Sequence, residues 1–400
     1  MEAGQRLPPS TGGPDDLPAQ LRSARRAAGH SLAGMAALTY FSKPYLSLVE
    51  TGRRAATPDV VDRYQQVLGV PIDTPHDPVR LTHEWLIGDP PAVRHLGAGR
   101  RIGTALVDEL ETRVIELRHL DDTISSGHLL PIVLADLDHA QHLTRQASYP
   151  ERLGTRLLTV VGELSQLAGW VASDAGHYQH AQRLYLSGVT AAQTAQDRAL
   201  GAQLLSSLAY QIANIGNRDD ALLIARSAVA GASDATPLVR ALLLERLAWA
   251  AARTHDADTT RRALDAVDDA YTQHAAGIAE PEWVYWLDRA EIDVMAGRCL
   301  IELGAPADAE PLLTRALAGY DSSHIREVAF YQTWLAEGHA KIGDLDAART
   351  ILNHLNTAAD HADSVRLHRR IDAVTNLINR RTGRHTTPPI QPGVGGRVTK

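Results

Sequence analysis

The chain has 400 residues, 44% hydrophobic and 22% charged, with a net charge of −7. That length exceeds one compact core, so two or more folding units are expected. Cys299 stands alone, which excludes an intrachain disulfide framework; no apolar run approaches the roughly 18 residues of a membrane span; and MEAGQRLPPSTGGPDD lacks the basic-then-apolar order of a secretion signal, so a cytoplasmic protein is expected.

Alanine and leucine dominate while only two phenylalanines occur, a balance that favours an all-α fold. Residues 1–16, rich in Pro, Gly and Ser/Thr, read as a disordered tail. Residues 17–29 read as a helix with Leu17, Leu21 and Ala24 on one face, ending at Gly29. Ser31 then caps a second helix over 31–39, and Ser42 caps a third over 42–51 that stops at Gly52. Pro58 opens a fourth that ends at Gly69, and a fifth lies near 77–87, so 17–88 is taken as one domain. Within 17–70, seven basic side chains (Arg22, Arg25, Arg26, Lys43, Arg53, Arg54, Arg63) face three acids (Glu50, Asp59, Asp62). A small basic module on an acidic body suggests that only this part meets a polyanion.

Residues 89–150 read as a linker and long helical region. In 100–122, Ile102, Leu106, Leu110, Val114 and Leu117 recur at helical spacing among charged residues. That stripe suits an interdomain helix or half of a dimer contact.

From 151 to 381 a period is visible. Markers Gly176, Gly216, Asp258, Gly304 and Gly343 are spaced 40, 42, 46 and 39 residues apart. Each is followed five residues later by an alanine (Ala181, Ala221, Ala263, Ala309, Ala348) and preceded seven earlier by a small residue (Gly169, Ala209, Ala251, Gly297, Ala336). Such a period in a helical context means stacked helix pairs, an α-solenoid, with small residues where helices approach. The longest insertion falls around 275–282, and 382–400 reads as a second disordered tail.

Three short helices joined by tight turns describe a helix-turn-helix. The residues Leu21-Arg22, Arg25, Gly29, Ser31, Met35-Ala36 and the string YLSLVETGRR, Tyr45 to Arg54, resemble the repressor-type (XRE/Cro-like) DNA-binding family. The resemblance implies that Arg25 and Glu50 pair across helices one and three and order the module. It places Ser42, Lys43, Pro44, Ser47 and Leu48 toward double-stranded DNA, and Arg53 and Arg54 at phosphates. Leu32 stands where the family usually carries a phosphate-contacting glutamine, and Tyr40 where the turn usually carries glycine. Pro44 and Leu48 favour thymine-methyl contacts over bidentate base contacts.

The segment LAGWVASDAGHYQHAQRLY, with Gly169, Gly176, Tyr178, Ala181 and Tyr185, resembles tetratricopeptide repeats, although the period here exceeds the family's usual length of roughly 34. With LAGWVASDAG, EPEWVYWLD and GRCLIELG, residues 17–381 resemble a class of actinobacterial regulators that couple the two modules. The layout is also similar to that of peptide-pheromone-sensing regulators. First-helix positions away from the packing seam then face a groove: Glu163, Gln166, Trp170, Asp174, Gln203, Tyr210, Asn214, Glu245, His255, Glu291, Arg298, Glu337 and Lys341. The mix suits a peptide or polar small molecule. Trp283, Tyr285 and Trp286 either pack the inserted loop or line a pocket, with packing favoured.

Signatures of catalysis are missing. The pairs His139/His142 and His177/His180 lack further ligands, and no phosphate-binding loop, dinucleotide fingerprint or nucleophile elbow occurs, so no enzyme, metal or cofactor is expected. The expected function is a homodimeric DNA-binding transcriptional regulator whose repeats sense a peptide, small molecule or protein partner. The alternative is an interaction scaffold in which the helix-turn-helix serves as an adaptor.

Overall fold

A computed structural model of the chain describes residues 17–39, 41–54, 56, 58–68, 77–88, 101–275, 277–320, 325–362 and 365–383. Both expected tails up to 16 and beyond 383, Tyr40 and the linker 89–100 lie outside those residues. The described residues hold eighteen α-helices and no β-strand; one isolated bridge joins Arg101 and Ser148. The chain divides into two units, Met1–Asp77 and Pro78–Lys400.

The first unit contains Leu17–Ala27 (α1), Leu32–Thr39 (α2), Lys43–Glu50 (α3) and Pro58–Leu68 (α4). Its core is Leu21, Met35, Leu46, Val49, Val60, Val61 and Tyr64. Ser31 accepts from the Gly34 N–H at 2.9 Å and starts α2; Ser42 accepts from the Tyr45 N–H at 3.3 Å and starts α3. The chain leaves α3 through Gly52 at φ +70°, a left-handed conformation that glycine adopts at little cost.

The second unit opens with Pro78–Ile87 (α5), Thr104–Asp121 (α6) and Ser126–Gln146 (α7). Five helix pairs follow: Glu151–Asp174 (α8) with Tyr178–Thr194 (α9), Arg198–Ile215 (α10) with Arg218–Gly231 (α11), and Pro237–Arg253 (α12) with Ala257–Thr272 (α13). The last two are Arg289–Glu302 (α14) with Pro306–Gly319 (α15) and Ile325–Ile342 (α16) with Leu345–Ala362 (α17); Val365–Arg381 (α18) closes the array. First helices pack on first helices in the order α8, α10, α12, α14, α16, and each second helix covers its partner from outside. Helices of the inner row are buried on most sides, so α10 is buried from Leu200 to Ala213. This is an α-solenoid.

The small-residue pattern has a packing cause. A β-carbon on Gly169 would lie 2.6 Å from the Tyr185 ring, and one on Gly297 would lie 2.8 Å from Leu313. Tyr185 and Leu313 each sit one helical turn after the signature alanines Ala181 and Ala309, both fully buried. One register differs from the sequence reading. In the third pair the left-handed turn residue is His255, at φ +59°, and Asp256 caps α13 by accepting from the Thr259 N–H at 3.0 Å. Asp258 therefore lies inside α13, Thr260 takes the place of the signature alanine, and Ala248 takes that of Ala251. The extra length sits between α13 and α14, where the 3₁₀ turn Glu282–Val284 and the aromatic cluster fall.

Two further expectations change. The fifth helix, α5, was grouped with the N-terminal module, yet it packs on α9 and α11 of the second unit. The reason is Trp85, whose indole fills a slot where a β-carbon on Gly201 or Gly231 would come within 2.5 or 2.2 Å of the ring. The apolar stripe of α6 is also used inside the unit: Val107, Leu110, Val114 and Leu117 are buried in its core, against α7 and α8. A dimer contact would have to use another surface.

Candidate functional site

In the first unit, α3 is divided lengthwise by its own periodicity. Leu46, Val49 and Glu50 are buried, while Ser42, Lys43, Pro44 and Leu48 are exposed and Ser47 is half-exposed. Leu48 remains 39% exposed, an apolar side chain with no place in the core. Thr51, Gly52, Arg53 and Arg54 follow on the surface. The Arg54 guanidinium lies 4.8 Å from the centre of the Tyr45 ring, which steadies it beside the helix end.

The buried side of α3 is held by a charge cluster. Arg25 donates from Nε to Glu50 Oε1 and from Nη2 to Glu50 Oε2, both at 2.6 Å, and from Nη1 to the His30 carbonyl at 2.8 Å. Tyr64 donates to Glu50 Oε1 at 2.8 Å. Every strong acceptor and donor in the group is matched, so this buried pair fixes α1, α3 and α4 against each other. The Glu50 hydrogen bonds raise the Arg25 guanidinium above its ordinary value; burial, then Glu50, raises the Tyr64 hydroxyl. Arg25 and Glu50 were expected from the sequence; Tyr64 was not. Leu32 packs on the module's core, so the position that family resemblance assigns to a phosphate contact serves packing here.

Residues 16–77 match the model of a helix-turn-helix domain family. The match ends where the first unit ends, before α5. Comparison with curated proteins gave no match. The helix-turn-helix domain presents α3 with Lys43, Pro44, Ser47 and Leu48 on its outer face, and its buried face is locked by the Arg25–Glu50–Tyr64 cluster.

The second unit contains a cavity of about 370 Å³ between the inner helices, and a second of about 270 Å³ that shares Trp170, Asp174, Tyr210, Arg298, Phe330 and Arg366 with it. Gln166, Trp170, Asp174, Gln203, Tyr210, Glu245, Glu291 and Arg298 line the first, and Asn214 lines the second. Four expected groove residues fall elsewhere. Glu337 is held at 2.6 Å by Arg370 and at 2.9 Å by Lys341; Lys341 also donates to the Ile301 carbonyl. Glu163 faces Arg118 at 3.5 Å, and His255 occupies the third repeat's turn. Trp283, Tyr285 and Trp286 line the cavity, and Trp283 and Trp286 also pack on the unit's core, the role favoured for them.

The sequence reading missed most of the cavity's cations: Arg118, Arg246 and Arg366. Arg246, Arg298 and Arg366 lie over aromatic rings. Arg298 lies 4.5 Å from the Trp249 ring centre and 5.0 Å from that of Trp334; Arg366 lies 4.2 Å from Phe330. Arg366 also meets Asp174 at 3.2 Å, and Arg118 donates to Gln166 at 2.8 Å. Burial raises the Tyr210 hydroxyl, but Arg298, Arg366 and Arg246 outweigh it and bring it down to about 8.

Glu245 is the opposite case. It is 2% exposed, and burial pushes its carboxyl up to about 7 against the pull of Arg246 and Arg298, with Glu291 adding repulsion. The folded state thus holds a proton that the unfolded chain releases near the ordinary value of 4.5. Stability from this group is full below that value and is lost as pH rises through about 7. Glu245→Gln should therefore stabilise the second unit by about 3 kcal/mol at roughly pH 8 and by little at roughly pH 5. Thermal melts at both pH values check this; an equal gain at both would contradict a charged, buried Glu245.

Proposed function

We propose that this protein is a homodimeric, cytoplasmic transcriptional regulator of the XRE type, without enzymatic activity, whose tetratricopeptide-like repeats sense an effector and modulate operator binding. The observation that carries the reading is α3. Its inner face is locked by Arg25, Glu50 and Tyr64, while Lys43, Pro44, Ser47 and Leu48 face outward and Arg53 and Arg54 follow at its end. A helix of eight residues presented in this way suits the major groove, with its first residues toward base edges and the arginines at phosphates. The helix-turn-helix family match supports the same reading. The lined cavity in the second unit supports an effector, because a concave site with aromatic walls and convergent polar groups is the usual form of a small-molecule site.

Arg53→Ala combined with Arg54→Ala should weaken binding to all DNA sequences alike and lower the salt dependence by about two phosphate contacts. Lys43→Ala should instead change sequence preference. The check is binding by fluorescence anisotropy over a salt series, with circular dichroism to confirm folding. If the folded double variant binds as tightly as the parent at every salt concentration, the docking of α3 and its following arginines is wrong.

A further inference from the structure

Many buried and partly buried charges of the second unit are paired within the chain. Arg253 meets Glu302, Arg118 meets Glu163, Arg366 meets Asp174 and Arg370 meets Glu337. Two consecutive residues of α12 break that rule. Arg246 is 7% exposed and makes neither a hydrogen bond nor an ion pair with the described residues; its guanidinium lies over the rings of Tyr210 at 4.5 Å, Trp286 at 5.7 Å and Trp170 at 5.9 Å. Glu245 likewise makes no hydrogen bond or ion pair with the described residues, and its buried Oε2 has no partner among them. Both residues line the same cavity, and they do not pair with each other. A third group adds to the first: Arg298 donates to the Tyr210 hydroxyl at 2.9 Å, and its buried Nε has no partner among the described residues.

A buried guanidinium with unused donors and a buried carboxyl with an unused acceptor each cost free energy unless something fills the space between them. Here the rings around it hold the guanidinium in place at the cavity lining, which preorganises a donor group for a carboxylate. The cavity also carries both signs. Around Tyr210 stand Arg246, Arg298 and Arg366, and Glu245 shares the lining with them. Glu291 accepts from the hydroxyls of Tyr331, at 2.7 Å, and Tyr320, with Asp288 also in the lining. Cations and carboxylates in one lining match a ligand that carries both charges. A volume of about 370 Å³ fits a small molecule and excludes a folded partner.

We infer that this cavity binds a small zwitterion of amino-acid size, its carboxylate on Arg246 and Arg298, its ammonium group on Glu245, and its body against Trp170 and Trp286. The inference deepens the sensor reading above and rests on it only for the consequence of binding. The test uses the full chain and the common free amino acids, each with its methyl ester and its N-acetyl form, and inorganic phosphate as an anion control. Binding is read by thermal shift and calorimetry. At least one free amino acid should raise the melting temperature saturably, with its ester and its N-acetyl form at least about tenfold weaker. Arg246→Met should remove that binding; Glu245→Gln should weaken it about tenfold or more.

The assignment is overturned if no free amino acid binds at millimolar concentration, if the ester or the N-acetyl form binds as well as the parent compound, or if phosphate alone binds as tightly. Because the derivatives are compared on the unmodified protein, a variant that fails to fold does not affect the outcome. The binding readout contains no DNA. A zwitterion that binds without changing DNA affinity leaves the site standing and removes the sensor role, whereas absence of binding beside intact DNA recognition removes the site alone.

Discussion

Glu50→Ala should unfold the helix-turn-helix domain and abolish DNA binding. The substitution leaves Arg25 buried with two of its three hydrogen bonds gone and Tyr64 without its acceptor. Breaking one side of a buried ion pair costs about 3–5 kcal/mol because the remaining charge is left uncompensated. A module of this size has a single small core and is typically stabilised by no more than that amount. Hydrogen exchange across 17–68 reads the effect directly: amides protected in the parent should exchange freely in the variant. Glu50→Gln, which keeps one of the two acceptor oxygens and loses the charge, should cost about 1–3 kcal/mol and leave the domain partly protected. Full protection in Glu50→Ala would mean that the cluster does not hold the module.

Trp85→Ala should be as damaging to the second unit. Trp85 is 3% exposed and is the anchor of α5, seated between Gly201 of α10 and Gly231 of α11. Removing a buried tryptophan costs about 3–5 kcal/mol in lost burial and cavity. The slot is formed by backbone at two glycines, so collapse onto the void is restricted and the upper part of that range is expected. The melting temperature should fall by on the order of ten degrees, and amides of 78–87 should lose protection first. Filling the slot from the other side, with Gly231→Leu, should release α5 in the same way. A melting temperature unchanged in both variants would place α5 elsewhere than on α9 and α11.

Both anchors show what can be read from a sequence and what cannot. The helices of the first unit were legible because their signals are local: Ser31, Ser42 and Gly52 act within four residues of themselves. Arg25 and Glu50 were legible through family resemblance, while Tyr64 joins them from α4 and carries no local mark. The repeats were legible because each small residue has a packing partner at fixed spacing, as Gly169 has in Tyr185 and Gly297 in Leu313. That spacing also explains the main omission at the cavity. In three pairs the residue directly after the small one faces the cavities: Trp170, Tyr210 and Arg298. With the third pair set three residues late, Ala251 replaced Ala248 and its successor Trp249 was passed over. His255 looked like a groove residue for the same reason. Arg366 was not legible because it reaches the cavity from α18, beyond the last repeat, and nothing periodic leads to it. Trp85 was assigned to the wrong unit because a helix's sequence records that it has an apolar face and not which partner covers it.

The central claim is that α3 reads DNA. Its most direct test is fluorescence anisotropy of the purified full chain on DNA from upstream of its own gene and on scrambled DNA of the same composition, over a salt series. Binding to the upstream DNA should be tighter and persist as salt rises, with weaker binding to the scrambled DNA lost first. Equal affinity for both DNAs at every salt concentration, with and without the zwitterion that fills the cavity, would contradict it.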